Sequence, residues 1–315
     1  VSKLPPVETT QLIQPSIVIP NTFAEVKRGS SGSAAGYSAV SNWLGCPERS
    51  RLNAKGVTKR YEWYGDGEAL SDLDFGILAH YLRSLRILYG HDAVEHALAM
   101  WKGELPHESW LKAQLMFRVY ESMYPRAQDS FRYLGTEVEV VTDVSRELPN
   151  VGLDKPIFRT VRYDTVVVLP GVGGSPDELF SFEAKTMARS GRGSLAPYTA
   201  QALCQFAIWN ANPHLVATYG RMSGVIWDCL IKTASPNVER IGPDYFGRVH
   251  QKLAVRYLAA ADDGSVVFRA DEHGHYPRML HACWGRWRAC DYTSLCHEGA
   301  VGEYTHRDGT PYEGD

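Results

Sequence analysis

The chain has 315 residues, 44% of them apolar and 22% charged, which is the balance of an ordinary soluble globular protein with material for a sizeable core. No run approaches the roughly 20 apolar residues that a membrane helix needs, and the first residues carry no secretory pattern, so a cytoplasmic protein with no membrane partner is expected. A net charge of −3 excludes a protein that coats nucleic acid through its overall field, leaving that role to local clusters such as Arg189 with Arg192, or Arg278 with Arg286 and Arg288.

In chain order, residues 1–36 are rich in Pro, Thr, Ser and Gly and read as a flexible N-terminal arm. Residues 37–130 read as a helical region. A short helix is expected over 38–52, around Cys46. From Asp72 to about Pro125 the residues Leu73, Ile77, Tyr81, Leu82, Leu85 and Leu88 recur at spacings of three and four, and 93–102 and 107–123 keep that helical pattern. Strand chemistry begins in residues 131–262. Thr136 to Thr142 alternates polar with apolar, Ile157 to Leu169 ends in a β-branched run, and Leu179 to Lys185 resumes the pattern after a Gly-rich turn at 171–176. Pro197 to Asn210 reads as a helix and Gly224 to Thr233 as another strand. The sum is a mixed α/β core, followed by a C-terminal segment and polar tail over 263–315.

Asp164 stands near the start of the long apolar strand. Across the turn, Glu183 and Lys185 are two apart, which places them on one face of their strand. Strands paired as a hairpin would bring an acid from each together with the lysine. Carboxylates are hard-oxygen ligands suited to Mg²⁺ or Mn²⁺, and a lysine beside them can orient a water or neutralise developing charge. That set suffices for phosphodiester hydrolysis, although a same-face Glu and Lys also occurs as a plain solvated pair.

The order strand-Asp, turn, strand-Glu-x-Lys, helix-Gln resembles the PD-(D/E)XK nucleases, above all the RecB-like branch and the phage exonucleases. In that branch a helix before the sheet carries Gly-x-x-x-His, matched here by Gly76-Ile-Leu-Ala-His80. The resemblance implies a restriction-endonuclease-like mixed sheet flanked by helices. It makes His80 a metal ligand beside Asp164, Glu183 and the Ala184 backbone carbonyl, with Mg²⁺ or Mn²⁺ as cofactor. It names Asp164, Glu183, Lys185 and Gln201 as catalytic, with Gln205 (followed by Trp209) as the second choice for the glutamine, while the basic pair Arg189 and Arg192 is the expected DNA contact by its local charge.

Six cysteines in such a chain point to metal or redox chemistry before disulfides. Cys283, Cys290 and Cys296 form Cys-x₆-Cys-x₅-Cys, wider than the usual zinc knuckle. Cys46, before Pro47, lies far upstream, while Cys204 and Cys229 sit in apolar surroundings as core residues. A lone N-terminal cysteine before proline with three beyond the core resembles the cluster-bearing nucleases of this branch, including the CRISPR-associated adaptation nucleases and the AddB nuclease domain. That resemblance implies a structural 4Fe–4S cluster on Cys46, Cys283, Cys290 and Cys296, with Zn²⁺ as the rival metal. It departs from the pattern at Trp287, where a cysteine would be expected.

The expected function is a metal-dependent exonuclease on single-stranded or duplex DNA ends, in recombination, repair or phage DNA processing. A helicase or recombination partner and a homo-oligomer are compatible with it. A catalytically silent DNA-binding scaffold and an endonuclease are the alternatives. No helix-turn-helix or finger signature marks a sequence reader, and no phosphate-binding Gly-rich loop marks a helicase.

Overall fold

The protein is described from a computed structural model, which covers residues 19–29, 46–55, 57–59, 69–147, 156–260 and 304–306, with a few single positions besides. Its centre is a five-stranded mixed sheet of β2 (Arg132–Asp143), β3 (Phe158–Leu169), β4 (Glu178–Met187), β5 (Met222–Ile231) and β6 (Asn237–Tyr245), in that spatial order. All neighbours are antiparallel except β4 and β5, which are parallel. A parallel pair needs a crossover, supplied by α6 (Thr199–Ala211) and α7 (Pro213–Tyr219). The mixed α/β class expected from the sequence is therefore the class found.

Before the sheet lie α3 (Asp72–Tyr89), α4 (His91–Met100) and α5 (His107–Met123). Ser71 caps α3 by accepting the Asp74 N–H, and Asp72 and Asp74 favour the positive end of the helix dipole. Phe75, Leu78, Leu82 and Leu85 give α3 its buried stripe, which packs with Trp101 and Phe117 in a cluster reaching the sheet at Leu230 and Val238. Leu73, grouped with that stripe by spacing, is 75% exposed in the first turn. A second cluster joins α6 and α8 (Arg248–Ala259) to β2 and β3 through Phe206, Trp209, Val255 and Leu258.

Two regions depart from the sequence reading. Within the expected flexible arm, Phe23–Gly29 forms α1, because Phe23 and Val26, three residues apart, bury against the α3–α5 cluster. The helix expected from Pro197 begins as a 3₁₀ segment, Arg192–Tyr198, before α6 proper. Near the ends, α2 (Pro47–Ala54) precedes β1 (Val57–Lys59), which pairs antiparallel with β7 (Tyr304–His306). Cys283, Cys290 and Cys296 lie outside the described residues, as do Arg278, Arg286 and Arg288. No helix among the described residues is long and apolar enough to cross a membrane.

Candidate active site

The site begins where two strands part. The last rung joining β3 to β4 is Val166–Ser181, and Asp164 and Glu183 each lie two residues beyond it. Freed from the ladder, the Ala184 N–H donates instead to Asp164 Oδ2 at 2.9 Å, which keeps a buried donor satisfied. Glu183 is 1% exposed. Its Oε1 accepts from the Ser181 hydroxyl at 2.6 Å, while its Oε2 has no hydrogen-bond partner and lies 3.6 Å from Lys185 Nζ. The same ammonium lies 5.4 Å from the centroid of the Tyr198 ring.

The strands are irregular here. Along β3 the residues facing the α6–α8 cluster are Val161 and Tyr163 before Asp164, but Val166 and Val168 after it. The alternation slips by one at Asp164–Thr165. On β2, Glu137 adopts φ +53°, between the rungs Thr136–Thr165 and Val138–Tyr163. The register itself is unbroken there, with one residue on each strand between those rungs, and the irregularity in the β2–β3 ladder lies at Tyr133–Gly135.

Helix α3 supplies the third wall. A Cβ on Gly76 would come within 3.3 Å of Thr186 Oγ1, so glycine lets the helix lie close on β4. One turn later His80 Nδ1 stands 3.6 Å from Asp164 Oδ2. The next turn brings Arg83 into the parted strands. Its guanidinium donates to Thr165 Oγ1 at 3.0 Å and to the Phe182 carbonyl at 3.1 Å, one residue past the last rung on each strand. Arg83 Nε also meets Asp228 Oδ2 of β5 at 2.5 Å, and the Tyr120 hydroxyl donates to the same oxygen at 2.5 Å. Ser84 donates to Glu137 Oε1 at 3.3 Å.

Beside them lies a cleft of about 680 Å³ lined by His80, Lys185, Tyr198, Glu137, Glu139 and Arg162, with α1 at its rim; Asp164 and Glu183 are not among its lining residues. Burial, then the Asp164 carboxylate, pushes the Glu183 carboxyl above its usual range. Burial opposes the charge on Lys185, but Asp164 and Glu183 outweigh it and raise the ammonium above its ordinary value. Burial, followed by the charges of Lys185 and Arg83, lowers His80 well below the usual imidazole range, leaving it neutral near pH 7. Burial and then Asp164 push Glu137 up to about 7.

The donor set suits a hard divalent cation. Asp164 and Glu183 offer carboxylate oxygens, and Glu183 Oε2 is an orphaned buried acceptor of the sort a bound ion satisfies. Among the described residues no three His, Cys, Asp or Glu side chains already converge to hold a metal ion, so the two carboxylates are the side chains that would hold one, with neutral His80 alongside.

Of the residues singled out from sequence, the fold gathers Asp164, Glu183, Lys185 and His80. Helix α6 brings Gln205 rather than Gln201 to Glu183. Gln205 is buried, its Nε2 donates to the Arg162 carbonyl at 3.4 Å, and its nearness favours the ionised form of Glu183. Gln201 is half-buried one turn earlier. Arg189 is exposed, and Arg192 is engaged with Asp244 at 2.6 Å, so neither lines the cleft, whereas Arg162 does. Cys204 and Cys229 are core residues, and Cys46 is buried and forms no disulfide with a described residue. Sequence reasoning passed over Glu137, Arg83, Asp228 and Arg162. Asp228 carried a signal, since a carboxylate inside the run Val225 to Ile231 must find a partner.

No family model matches the chain, and no curated protein sequence matches it. Among solved structures, it is similar to a protein from Eubacterium rectale provisionally named an exonuclease, at 14% identity over 79% of this chain and 85% of that one, with a TM-score of 0.41. It is also similar to the protein SSO0001, at 16% identity over 70% of this chain and 83% of that one, with a TM-score of 0.31.

Proposed function

We propose that the chain is a Mg²⁺- or Mn²⁺-dependent DNA exonuclease of the PD-(D/E)XK type, hydrolysing phosphodiester bonds at DNA ends. The observation that carries this reading is the grouping of Asp164, Glu183 and Lys185 where β3 and β4 part, with Lys185 opening onto a cleft walled by α3. Asp164 and Glu183 would hold the cation, which when bound supplies Lewis-acid stabilisation of phosphate charge and a more acidic water. The cleft also carries Glu137 and Glu139, a wall that repels phosphate until a cation offsets it.

The chain's own residues divide the rest of the work. Lys185, paired with Glu183, is a fixed positive charge beside the scissile group and stabilises the negative charge that grows in the transition state. Tyr198 borders the lysine and limits its range. Arg83 ties Thr165 to Phe182 and so holds Asp164 and Glu183, their chain neighbours, at a fixed separation.

A structural 4Fe–4S cluster on Cys46, Cys283, Cys290 and Cys296 belongs to the same proposal. Its support is that β1, eleven residues after Cys46, pairs with β7, eight residues after Cys296, which brings these two segments side by side. The test of the nuclease reading is digestion of end-labelled linear DNA beside covalently closed circles with Mg²⁺ or Mn²⁺. Linear DNA should be degraded and circles spared, and Asp164→Asn or Glu183→Gln should abolish degradation while leaving the fold intact. Cutting of circles would make the protein an endonuclease, and activity in either variant would remove the site.

A further inference from the structure

We propose that Glu137 is a third carboxylate of this site, completing with Asp164 and Glu183 the ligand set for a divalent cation such as Mn²⁺. The inference rests on the cation-dependent reading above and extends it to a strand that the sequence marked only as half-exposed.

Four observations converge on Glu137. It lies between the rungs that join β2 to β3 on either side of Asp164, which makes Asp164 its neighbour across the ladder. Its side chain lines the same cleft as Lys185 and His80. Its backbone is left-handed at φ +53°, a conformation that glutamate adopts seldom inside a strand. It is also held at one end only, since Oε1 accepts from Ser84 while Oε2 takes no hydrogen bond from a described residue.

The other two carboxylates share this last property. Asp164 Oδ2 takes the Ala184 N–H, and Glu183 Oε1 takes the Ser181 hydroxyl. Asp164 Oδ1 accepts no hydrogen bond from a described residue, and Glu183 Oε2, on a side chain 1% exposed, is likewise without one. Each acid thus has one oxygen anchored by a neutral donor and one that accepts no hydrogen bond, that of Glu183 facing the Lys185 ammonium at 3.6 Å. Three carboxylates gathered in this way repel one another, and the closeness of Asp164 is among the causes that hold the Glu137 proton. A divalent cation reverses that balance by drawing the three remaining oxygens together. Among the described residues the three side chains do not already converge on one point, and binding turns these oxygens toward the ion.

The experiment is Mn²⁺ binding to the full chain, followed by the electron paramagnetic resonance signal of the free ion, so that no cleavage is needed. Wild type, Asp164→Asn, Glu137→Gln and Glu137→Gly are compared, with circular dichroism as the fold control. Glu137→Gly suits the left-handed backbone, which keeps one informative variant should the glutamine strain the strand. The expected result is saturable binding to wild type, with affinity lowered at least about tenfold in both Glu137 variants, since even indirect partners of a metal ligand are worth about 10–100-fold in affinity. Wild-type affinity in both folded Glu137 variants, with loss in Asp164→Asn, overturns the third ligand and leaves the two-carboxylate site standing. No binding to wild type, or equal binding in Asp164→Asn, overturns the cation-dependent reading and this inference with it.

Discussion

Arg83→Met offers the most direct test of how the site is held. The guanidinium is 1% exposed and its partner Asp228 is 0% exposed. Methionine keeps an unbranched stem but removes the contacts to Asp228, Thr165 and the Phe182 carbonyl. It leaves a buried carboxylate supported only by the Tyr120 hydroxyl and by Arg240 Nε at 3.8 Å, together with an orphaned carbonyl. Removing one member of a buried pair typically costs about 3–5 kcal/mol, a large part of the roughly 5–15 kcal/mol that stabilises a domain. Adding Asp228→Asn removes the stranded charge, so the double variant should recover about 1–3 kcal/mol relative to Arg83→Met, the non-additivity expected of residues in contact. Urea unfolding followed by tryptophan fluorescence and by circular dichroism reads both quantities. A loss below about 1 kcal/mol in Arg83→Met, or a double variant no more stable than the single, would refute the view that this pair bridges the parted strands.

Lys185→Ala should lower single-turnover cleavage on the order of a hundredfold to a thousandfold, the cost of one aimed electrostatic donor, while DNA affinity at fixed salt changes little because phosphate contacts are distributed. Equal losses in rate and affinity would make the lysine a phosphate anchor only. For pH, Glu137 has its folded value raised from 4.5 to about 7, so its contribution to stability is fully present below about 4.5 and is lost as pH rises through 7. Without divalent cation, wild type should therefore lose thermal stability relative to Glu137→Gln as pH is raised across that window. His80, whose value is lowered, has the opposite dependence, with stability lost as pH falls below its ordinary 6.5, and it largely cancels in the difference. A difference that stays flat with pH contradicts the placement of Glu137. Anaerobically purified protein should absorb broadly near 400 nm and contain iron that Cys290→Ser reduces; stoichiometric zinc without iron refutes the cluster and leaves the nuclease site untouched.

Much of the fold was legible because local periodicity and tertiary burial agree. The three-and-four spacing of Ile77, Tyr81, Leu82 and Leu85 follows one stripe of α3, and the β-branched run from Thr165 lies in a strand covered on both sides. Legibility failed where a short element depends on distant partners. Helix α1 is seven residues long and owes its place to Phe23 and Val26 against Trp101 and its neighbours. Leu73 matched the periodicity, yet it stands in the first turn beside the cleft instead of over the core.

The site divides along the same line. The grouping of Asp164, Glu183 and Lys185 was readable because it is set by position along two strands, and the approach of His80 because Gly76 leaves a trace one turn before it. Glu137 was not readable, since Glu137 and Glu139 alternate with Val138 and Val140 as the solvent side of any half-buried strand does. What separates Glu137 is a left-handed φ and a serine on a helix 53 residues earlier, neither of which leaves a local pattern. Arg83 was hidden for a related reason. A basic residue within an amphipathic helix normally marks its wet face, but here it enters a gap that exists only because β3 and β4 stop pairing after Val166–Ser181. That gap releases the Ala184 N–H to Asp164 and admits Arg83 between the strands. Two features of the candidate site thus follow from one broken ladder, and the arginine that fills it cannot be removed without stranding Asp228.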